Sequence, residues 1–357
     1  MTAPRLEIDL EKIRHNAHTL VERLNKRGIS VWGVTKAALG LPAIARTLLA
    51  AGVGGLADSR IENIQTMRRA TIPAPMALIR SPMLSQAELV VTNADISLNT
   101  ELEVISELSK AAYAAGREHS VLLMVELGDL REGIMPADLE ETVRQTLGLP
   151  NIKFKGIGSN LACRSGVAPD EKNMRELSSL ADAIDATFGP VISIVSGGNS
   201  SNLEWALGAA DLGRVNNLRL GEAILLGCEP LHRQPIEALF TDAITLVAEV
   251  IEAKIKPSQP WGEIAETAFG SAALPENRGP LFQAILALGH MDTDPKGLTA
   301  PSDITILGSS SDHLVVECGK TRPRIGDEMK FGLNYSALVR AMGSPLVVTK
   351  ILTHPLR

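Results

Sequence analysis

A single lysine stands where the sequence predicts the end of a buried strand. Lys36 directly follows residues 32–35, which read Trp-Gly-Val-Thr. Burying an ammonium group is costly unless the group is paired or reactive. Lys36 is therefore either a side chain that reaches solvent at the rim of the strand or a reactive amine that can form a Schiff base with an aldehyde.

Two later segments combine small and polar residues in a way that suits a phosphate group. Residues 196–202 read Ser-Gly-Gly-Asn-Ser-Ser-Asn, and residues 218–222 read Leu-Arg-Leu-Gly-Glu. Small residues let backbone N–H groups approach a phosphate, and serine hydroxyls can donate to it. The first segment alone could equally be a plain polar loop. Because both segments follow predicted strands, a phosphate site is the more specific interpretation.

The elements that must position these residues alternate between apolar and amphipathic segments up to about residue 230. Such alternation predicts parallel strands joined by right-handed helical crossovers. Eight units fit an α/β fold, a closed (β/α)₈ TIM-like barrel, whose usual phosphate site lies after the seventh and eighth strands. An open doubly wound sheet is the alternative, but no Gly-x-Gly-x-x-Gly motif follows the first strand. The predicted strands are 30–35, 54–57, 76–79, 95–98, 120–125, 154–158, 191–195 and 214–218, and the predicted helices are 41–51, 60–69, 101–115, 137–147 and 171–188.

The pattern changes after Pro230. Short apolar runs separated by Gly, Pro and Asp are typical of strands and turns, and they predict a C-terminal β-rich domain. We expect the barrel domain to span residues 1–234 and the β-rich domain to span 235–357, while the strand at 5–9 could pair with either. The runs are 243–255, 282–288, 304–307, 313–317, 328–331 and 346–351.

Composition limits the classes of function. The 357 residues carry a net charge of −6 without a long basic run, so nucleic-acid binding has no electrostatic support. The N-terminus lacks the apolar core of a signal peptide, and no uncharged apolar stretch reaches the roughly 18 residues of a membrane span. The three cysteines lie far apart, which is typical of reduced thiols and not of structural zinc. We expect a cytoplasmic protein that acts on a small molecule and has no metal site.

At these clusters the chain resembles the alanine racemase-like family of fold-type III pyridoxal-phosphate enzymes, and within it most closely the ornithine racemase group. The strand end at 34–36 is similar to the family's Val-Val-Lys, and residues 219–221 are similar to its Arg-x-Gly. The resemblance covers nearly the whole chain and implies the cofactor pyridoxal 5'-phosphate. Lys36 would hold this cofactor as a Schiff base, and Arg219 would hydrogen-bond its pyridine nitrogen.

The resemblance also implies a phosphate site, formed by the Asn-Ser turn Asn199 and Ser200, the backbone amides of Gly221 and Glu222, and the side chain of Tyr335.

Two further residues would complete the cofactor site. Arg131 resembles the arginine that meets the cofactor phenolate and the substrate carboxylate, and a solvated loop arginine is the alternative. Asn160 stands where alanine racemase packs a histidine on the cofactor ring.

The second acid/base group departs from the family pattern. Alanine racemase uses a tyrosine from the β domain of the partner subunit, but the aligned segment here, 266–270, offers Thr267 and Phe269. A phenylalanine cannot accept a proton. The tyrosine therefore has no counterpart, and the group must be sought elsewhere.

The segment 308–313, Gly-Ser-Ser-Ser-Asp-His, resembles the family's substrate loop in the β domain. It makes Asp312 and His313 candidate catalytic groups and Ser311 and Asp312 candidate substrate contacts. A histidine titrates near neutral pH without help from its surroundings. An ordinary turn is the alternative, and His290 is a second candidate in the same domain.

Together these features predict a racemase that interconverts L- and D-amino acids, ornithine or another basic amino acid, as a homodimer with shared active sites. The β-rich domain would contribute to the partner's site. The distal ammonium of such a substrate needs a carboxylate, and the candidates are Asp312, Glu263 and Glu126. Three alternatives remain: a decarboxylase or aldolase on the same scaffold, a non-catalytic cofactor-binding protein, and a barrel hydrolase that uses Asp, Glu and His.

Overall fold

The computed structural model describes residues 4–270 and 275–353. The chain divides into two units, one formed by Leu10–Phe240 and the other by Met1–Asp9 with Thr241–Arg357. The first strand, β1 (Arg5–Ile8), thus belongs with the C-terminal part of the chain. The first unit contains a closed eight-stranded parallel barrel and the second a largely antiparallel sheet, which confirms the fold class expected from the sequence.

The barrel strands follow one another around the barrel in chain order. They are β2 (Ser30–Val34), β3 (Gly55–Asp58), β4 (Met76–Leu78), β5 (Ile96–Asn99), β6 (His119–Met124), β7 (Ile152–Gly158), β8 (Ile194–Gly198) and β9 (Asn217–Leu220). The helices of this unit are α1 (Leu10–Asn25), α2 (Pro42–Ala50), α3 (Ile61–Arg69), α4 (Ala87–Asn93), α5 (Leu102–Ala114), α6 (Leu139–Leu147), α7 (Glu171–Phe188), α8 (Leu203–Leu207) and α9 (Glu222–Leu226).

Apolar side chains form the core of this unit. Strand residues such as Val34, Leu98 and Leu122 form one buried cluster, against which Trp32 packs. The helices bury residues spaced three or four apart, as an amphipathic helix must. In α1, for example, these residues are Ile13, Ala17, Leu20 and Leu24.

Strands β8 and β9 begin three residues later than the sequence predicted, and that prediction was wrong. Residues 191 and 192 lie in the connection before β8 instead, because their backbone N–H groups both donate to the Asp185 carboxylate at 3.0 Å. The strand ladder then pairs Ser196 with Asn217, whose side chains share a hydrogen bond of 2.7 Å. As a result Ser196 and Arg219 lie within the barrel wall and not in loops after it.

The second unit is an eight-stranded sheet in which the central strands run in the order β12-β15-β10-β11-β14-β13. Strand β1 pairs antiparallel with β10 and parallel with β16. The unit also contains a helix that the strand pattern did not predict, whose first turn is capped by the Asn334 side chain. Its elements are β10 (Ile244–Pro257), β11 (Pro280–Ala287), β12 (Leu298–Thr299), β13 (Ile304–Ser309), β14 (His313–Cys318), β15 (Glu328–Leu333), α10 (Tyr335–Gly343) and β16 (Val348–Ile351).

Within residues 4–270 and 275–353, no helix is long and apolar enough to cross a membrane. The same residues contain no group of three or more His, Cys, Asp or Glu side chains that could hold a metal ion. All three cysteines are free thiols.

His119, the first residue of β6, makes the stability of the barrel depend on pH. It is 2% exposed, and its Nε2 lies 2.8 Å from Ser97 Oγ. Burial lowers its pKa from 6.5 to about 4, and the nearby charge of Arg117 acts in the same direction. The folded state therefore favours the neutral ring. The resulting contribution of His119 to the free energy of unfolding is present above pH 6.5 and is lost as the pH falls towards 4.

We expect the free energy of unfolding to fall by about 3 kcal/mol across that pH range through this group. Urea denaturation of the wild type and of His119→Gln, compared at each pH, isolates the effect because Gln does not titrate. His18→Gln, at an exposed position of α1, is the matched control. Equal pH slopes for the wild type and His119→Gln would contradict this assignment.

Candidate active site

The ends of the barrel strands surround a cavity of about 270 Å³. Parallel strands of a closed barrel all end at the same edge, so the residues that follow them meet there. The lining combines four cations, one carboxylate and neutral side chains. Its members are Lys36, Ser59, Ile79, Arg80, Met124, Arg131, Glu132, Asn160 and Arg219.

Lys36 reaches the cavity because the strand end before it is anchored. Thr35 is fully buried, and its Oγ1 donates to Asp58 Oδ2 at 2.7 Å. After Lys36 the chain turns sharply, and Gly40 has a φ of +66° where a Cβ atom would lie 2.7 Å from the Asn63 carbonyl oxygen. The turn therefore requires glycine at this position, and it keeps the lysine at the end of β2.

Arg219 is the most buried cation of the site, with 3% exposure. Its Nη2 donates to the Ser159 carbonyl oxygen at 2.8 Å and to Asn160 Oδ1 at 3.3 Å, and its Nη1 donates to Ser196 Oγ. Burial lowers its pKa to about 10, and the charge of Arg131 adds to that effect. Arg219 thus stays charged at neutral pH, although all three of these acceptors are uncharged.

Carboxylates fix the two loops beside the cavity. Glu126 accepts hydrogen bonds from the N–H groups of Gly128 and Leu130, in the loop after β6. Asp129 accepts from the N–H groups of residues 163, 164 and 165, at 3.0 to 3.3 Å, and so ties this loop to the one after β7. Burial alone would raise the pKa of Asp129, but these N–H donors lower it.

Arg131 is held between these two loops. It forms an ion pair with Glu132, and its Nη1 lies 2.9 Å from Cys163 Sγ. The side chain therefore lines the cavity with part of its guanidinium already engaged, and it is not simply solvated.

The segments after β8 and β9 are hydrogen-bonded to each other. Asn199, after β8, also donates to the Leu161 carbonyl oxygen in the loop after β7, at 2.9 Å. Ser200 Oγ accepts from Ala223 N at 3.2 Å in the first turn of α9. This contact brings Gly221 and Glu222 beside the Asn-Ser turn. Burial raises the pKa of Glu222.

Two buried polar atoms near these segments have no hydrogen-bond partner in the described part of the chain. They are Ser201 Oγ and Asn160 Nδ2, and Asn160 also lines the cavity. Buried polar groups are normally satisfied. Asn160 Nδ2 therefore offers an uncommitted hydrogen-bond donor at the cavity.

The remaining candidates lie in the second unit. Asp312 and His313 are exposed, Asp312 in the turn between β13 and β14 and His313 as the first residue of β14, where its Nδ1 lies 3.4 Å from Ser310 Oγ. Close to the same turn, His290 Nε2 lies 3.0 Å from Ser309 Oγ, and Phe269 stacks on the His290 ring at 4.0 Å. His290 therefore lies beside the segment that precedes Asp312 and His313, and its backbone N–H donates to the Ser310 carbonyl oxygen at 3.1 Å.

Tyr335 is the first residue of α10, directly after the capping residue Asn334.

Sequence reasoning missed three polar or charged residues of the cavity, namely Ser59, Arg80 and Glu132. The first two come directly or almost directly after the ends of β3 and β4. That position was available as a signal, since side chains after barrel strands meet at one edge.

A parallel barrel with a lysine at its first strand end, together with a separate β-rich unit, defines the class of alanine racemase-like proteins. Residues 8–230 match the family model described as "Alanine racemase, N-terminal domain". The chain belongs to this family.

Two relatives are similar over nearly their whole length. The chain is 38% identical to the ornithine racemase of Acetoanaerobium sticklandii over 98% of this chain and 99% of the relative. It is 36% identical to the lysine racemase of Thermotoga maritima over 97% and 98%.

Solved structures share the fold. The alanine racemase from Streptomyces lavendulae superimposes with a TM-score of 0.77 at 19% identity, covering 99% of this chain and 98% of that one. The D-threonine aldolase from Filomicrobium marinum has a TM-score of 0.73 at 17% identity, covering 95% and 88%.

Asp129→Asn should loosen the loops that hold Arg131, because the amide replaces a charged acceptor for three N–H groups. Losing hydrogen bonds to a charged group costs about 1.5–3 kcal/mol of stability. Hydrogen exchange should report faster opening of residues 163–165, and urea denaturation the lower stability. Asp138→Asn, at an exposed position, is the matched control. Unchanged exchange at 163–165 would show that Asp129 does not tie the loops.

Proposed function

We propose that the protein is a pyridoxal-phosphate-dependent racemase of basic amino acids, ornithine or lysine, that works as a cytoplasmic homodimer with shared active sites. The observation that carries the proposal is Lys36 in one cavity with the buried cation Arg219, in a chain similar over its full length to an ornithine and a lysine racemase.

The residues fit this cofactor. The unsatisfied Ser201 Oγ and Asn160 Nδ2 suit a ligand with acceptor oxygens, and Lys36 offers an amine for covalent attachment. The proposed phosphate ligands are Asn199, Ser200, Gly221, Glu222 and, from the second unit, Tyr335. When bound, pyridoxal phosphate supplies an electron sink that makes the Cα proton of an amino acid removable.

The retained proton of Arg219 would direct the chemistry. Because it keeps its proton at neutral pH, it can donate a hydrogen bond to the pyridine nitrogen but cannot protonate that nitrogen. A carboxylate at this position would favour the decarboxylase alternative. The buried guanidinium therefore supports simple proton transfer at Cα.

Arg131 and Glu132 would act at the substrate. Arg131 would meet the cofactor phenolate and the substrate carboxylate, as the family resemblance implies. For the distal ammonium we favour Glu132, because it lines the cavity, where it is paired with Arg131. Glu126 is not part of the lining and accepts from the N–H groups of its own loop.

Racemisation needs a proton carrier on each face of Cα. Lys36 would serve one face. The second group would be His313 or Asp312 of the partner subunit, with Ser311 as a substrate contact. Both side chains are exposed at a turn of the second unit, which leaves them accessible to another subunit.

Lys36→Ala should abolish covalent cofactor attachment while leaving the fold intact. Borohydride reduction of the wild type, followed by peptide mass spectrometry, should find the reduced cofactor on Lys36 and on no other lysine. Lys110→Ala, at an exposed position of α5, should label as the wild type does. Label retained by Lys36→Ala would refute the assignment.

The racemase proposal is tested by hydrogen exchange at Cα in D₂O. The wild type should convert L-ornithine or L-lysine to both enantiomers with deuterium at Cα. His313→Gln or Asp312→Asn should exchange one enantiomer only, because one face keeps its base.

Full racemisation by both variants would exclude these two residues and direct attention to His290 or Thr267. A wild type that exchanges neither enantiomer would contradict the racemase proposal and favour a non-catalytic cofactor-binding protein.

A further inference from the structure

Arg80 is a cavity residue to which neither the family resemblance nor the site chemistry assigns a role. It is the second residue after the end of β4 and directly follows Ile79. Its side chain lines the cavity and is half-buried. It makes no hydrogen bond or ion pair with any residue of 4–270 and 275–353. A half-buried guanidinium without a counterion is unfavourable, so its position indicates a binding site for an anion.

The other two guanidinium groups of the cavity are engaged. Arg219 donates three hydrogen bonds to neutral acceptors. Arg131 is paired with Glu132 and contacts Cys163 Sγ. Among the arginines of this lining, Arg80 is therefore the one whose guanidinium has no hydrogen-bond partner among the described residues. A planar guanidinium can bind a carboxylate or a phosphate through two parallel hydrogen bonds.

The barrel order distinguishes these two anions. Strand β4 lies four strands from β8 in either direction around the closed barrel, so their ends are opposite each other. The Asn199-Ser200 turn follows β8, and Gly221 follows the adjacent β9. A phosphate held there would lie across the barrel from Arg80. Since the cofactor phenolate is assigned to Arg131, the anion for Arg80 would come from the substrate.

We propose that Arg80 is a second ligand, beside Arg131, for the α-carboxylate of the amino-acid substrate, and that it thereby selects amino acids over the corresponding amines. This inference rests on the proposed function, because it assumes an amino acid in the cavity. It does not depend on which side chain the amino acid carries, since every amino acid presents the same carboxylate.

The test measures binding with and without the arginine on the protein, and with and without the carboxylate on the ligand. Spectral titration of the holoenzyme gives dissociation constants for L-ornithine and 1,4-diaminobutane, and for L-alanine and ethylamine, with the wild type and Arg80→Gln. We expect the variant to bind both amino acids about ten- to a hundredfold more weakly and both amines within about twofold of the wild type. Arg80→Lys should recover part of the loss.

Arg69→Gln is the matched control, because this arginine is exposed on α3, and it should bind all four compounds as the wild type does. Equal weakening of amino acid and amine, or no change in either, would overturn the inference. So would a wild type that does not prefer the amino acids. Weaker cofactor binding by Arg80→Gln would assign the residue to the phosphate instead.

The alanine and ethylamine pair separates the two proposals. If the wild type fails to racemise ornithine and lysine, the proposed substrate is wrong, yet this pair still measures whether Arg80 recognises a carboxylate.

Discussion

The site is organised around one buried cation in the barrel wall. A guanidinium with 3% exposure must find acceptors or be very unfavourable. Arg219 finds them at Ser159 and Asn160, directly after β7, and at Ser196, within β8. These bonds fix the end of β7 relative to the neighbouring strand β8. Asn160 then orients Asn199 through a contact of 3.2 Å, which links the cation to the polar turn after β8.

The fold was accessible from the sequence because its signals are local and repeated. Alternating apolar and amphipathic segments predicted the barrel, and Gly- and Pro-bounded runs predicted the β-rich sheet. Three features were not accessible. The start of β8 depends on a carboxylate in α7, Asp185, which accepts hydrogen bonds from the N–H groups of residues 191 and 192 and keeps them out of the strand. Helix α10 lies among strands. The alternation in residues 5–9 suits either unit, and only the pairing of β1 with β10 and β16 resolves it.

The residues of the candidate site could also be predicted only in part from the sequence. Lys36, Arg131, Asn160 and Arg219 were singled out from the sequence and do line one cavity. Arg80 was missed although its position shortly after the end of β4 was an available signal, whereas Glu132 lies in a long loop after β6 where no spacing marks it. The fold alone does not specify the reaction either, because an alanine racemase and a D-threonine aldolase both superimpose on this chain. The racemase assignment depends on the residues of the site and on the full-length relatives.

The central claim is that Arg219 faces the cofactor ring as a cation that donates a hydrogen bond and keeps its proton. The most direct measurement is the ¹⁵N NMR shift of the pyridine nitrogen in holoenzyme reconstituted with ¹⁵N-labelled pyridoxal phosphate. The account predicts the shift of an unprotonated, hydrogen-bonded nitrogen that stays constant from about pH 6 to 9, because the pKa of Arg219 is about 10. A pyridinium shift in this range would contradict it.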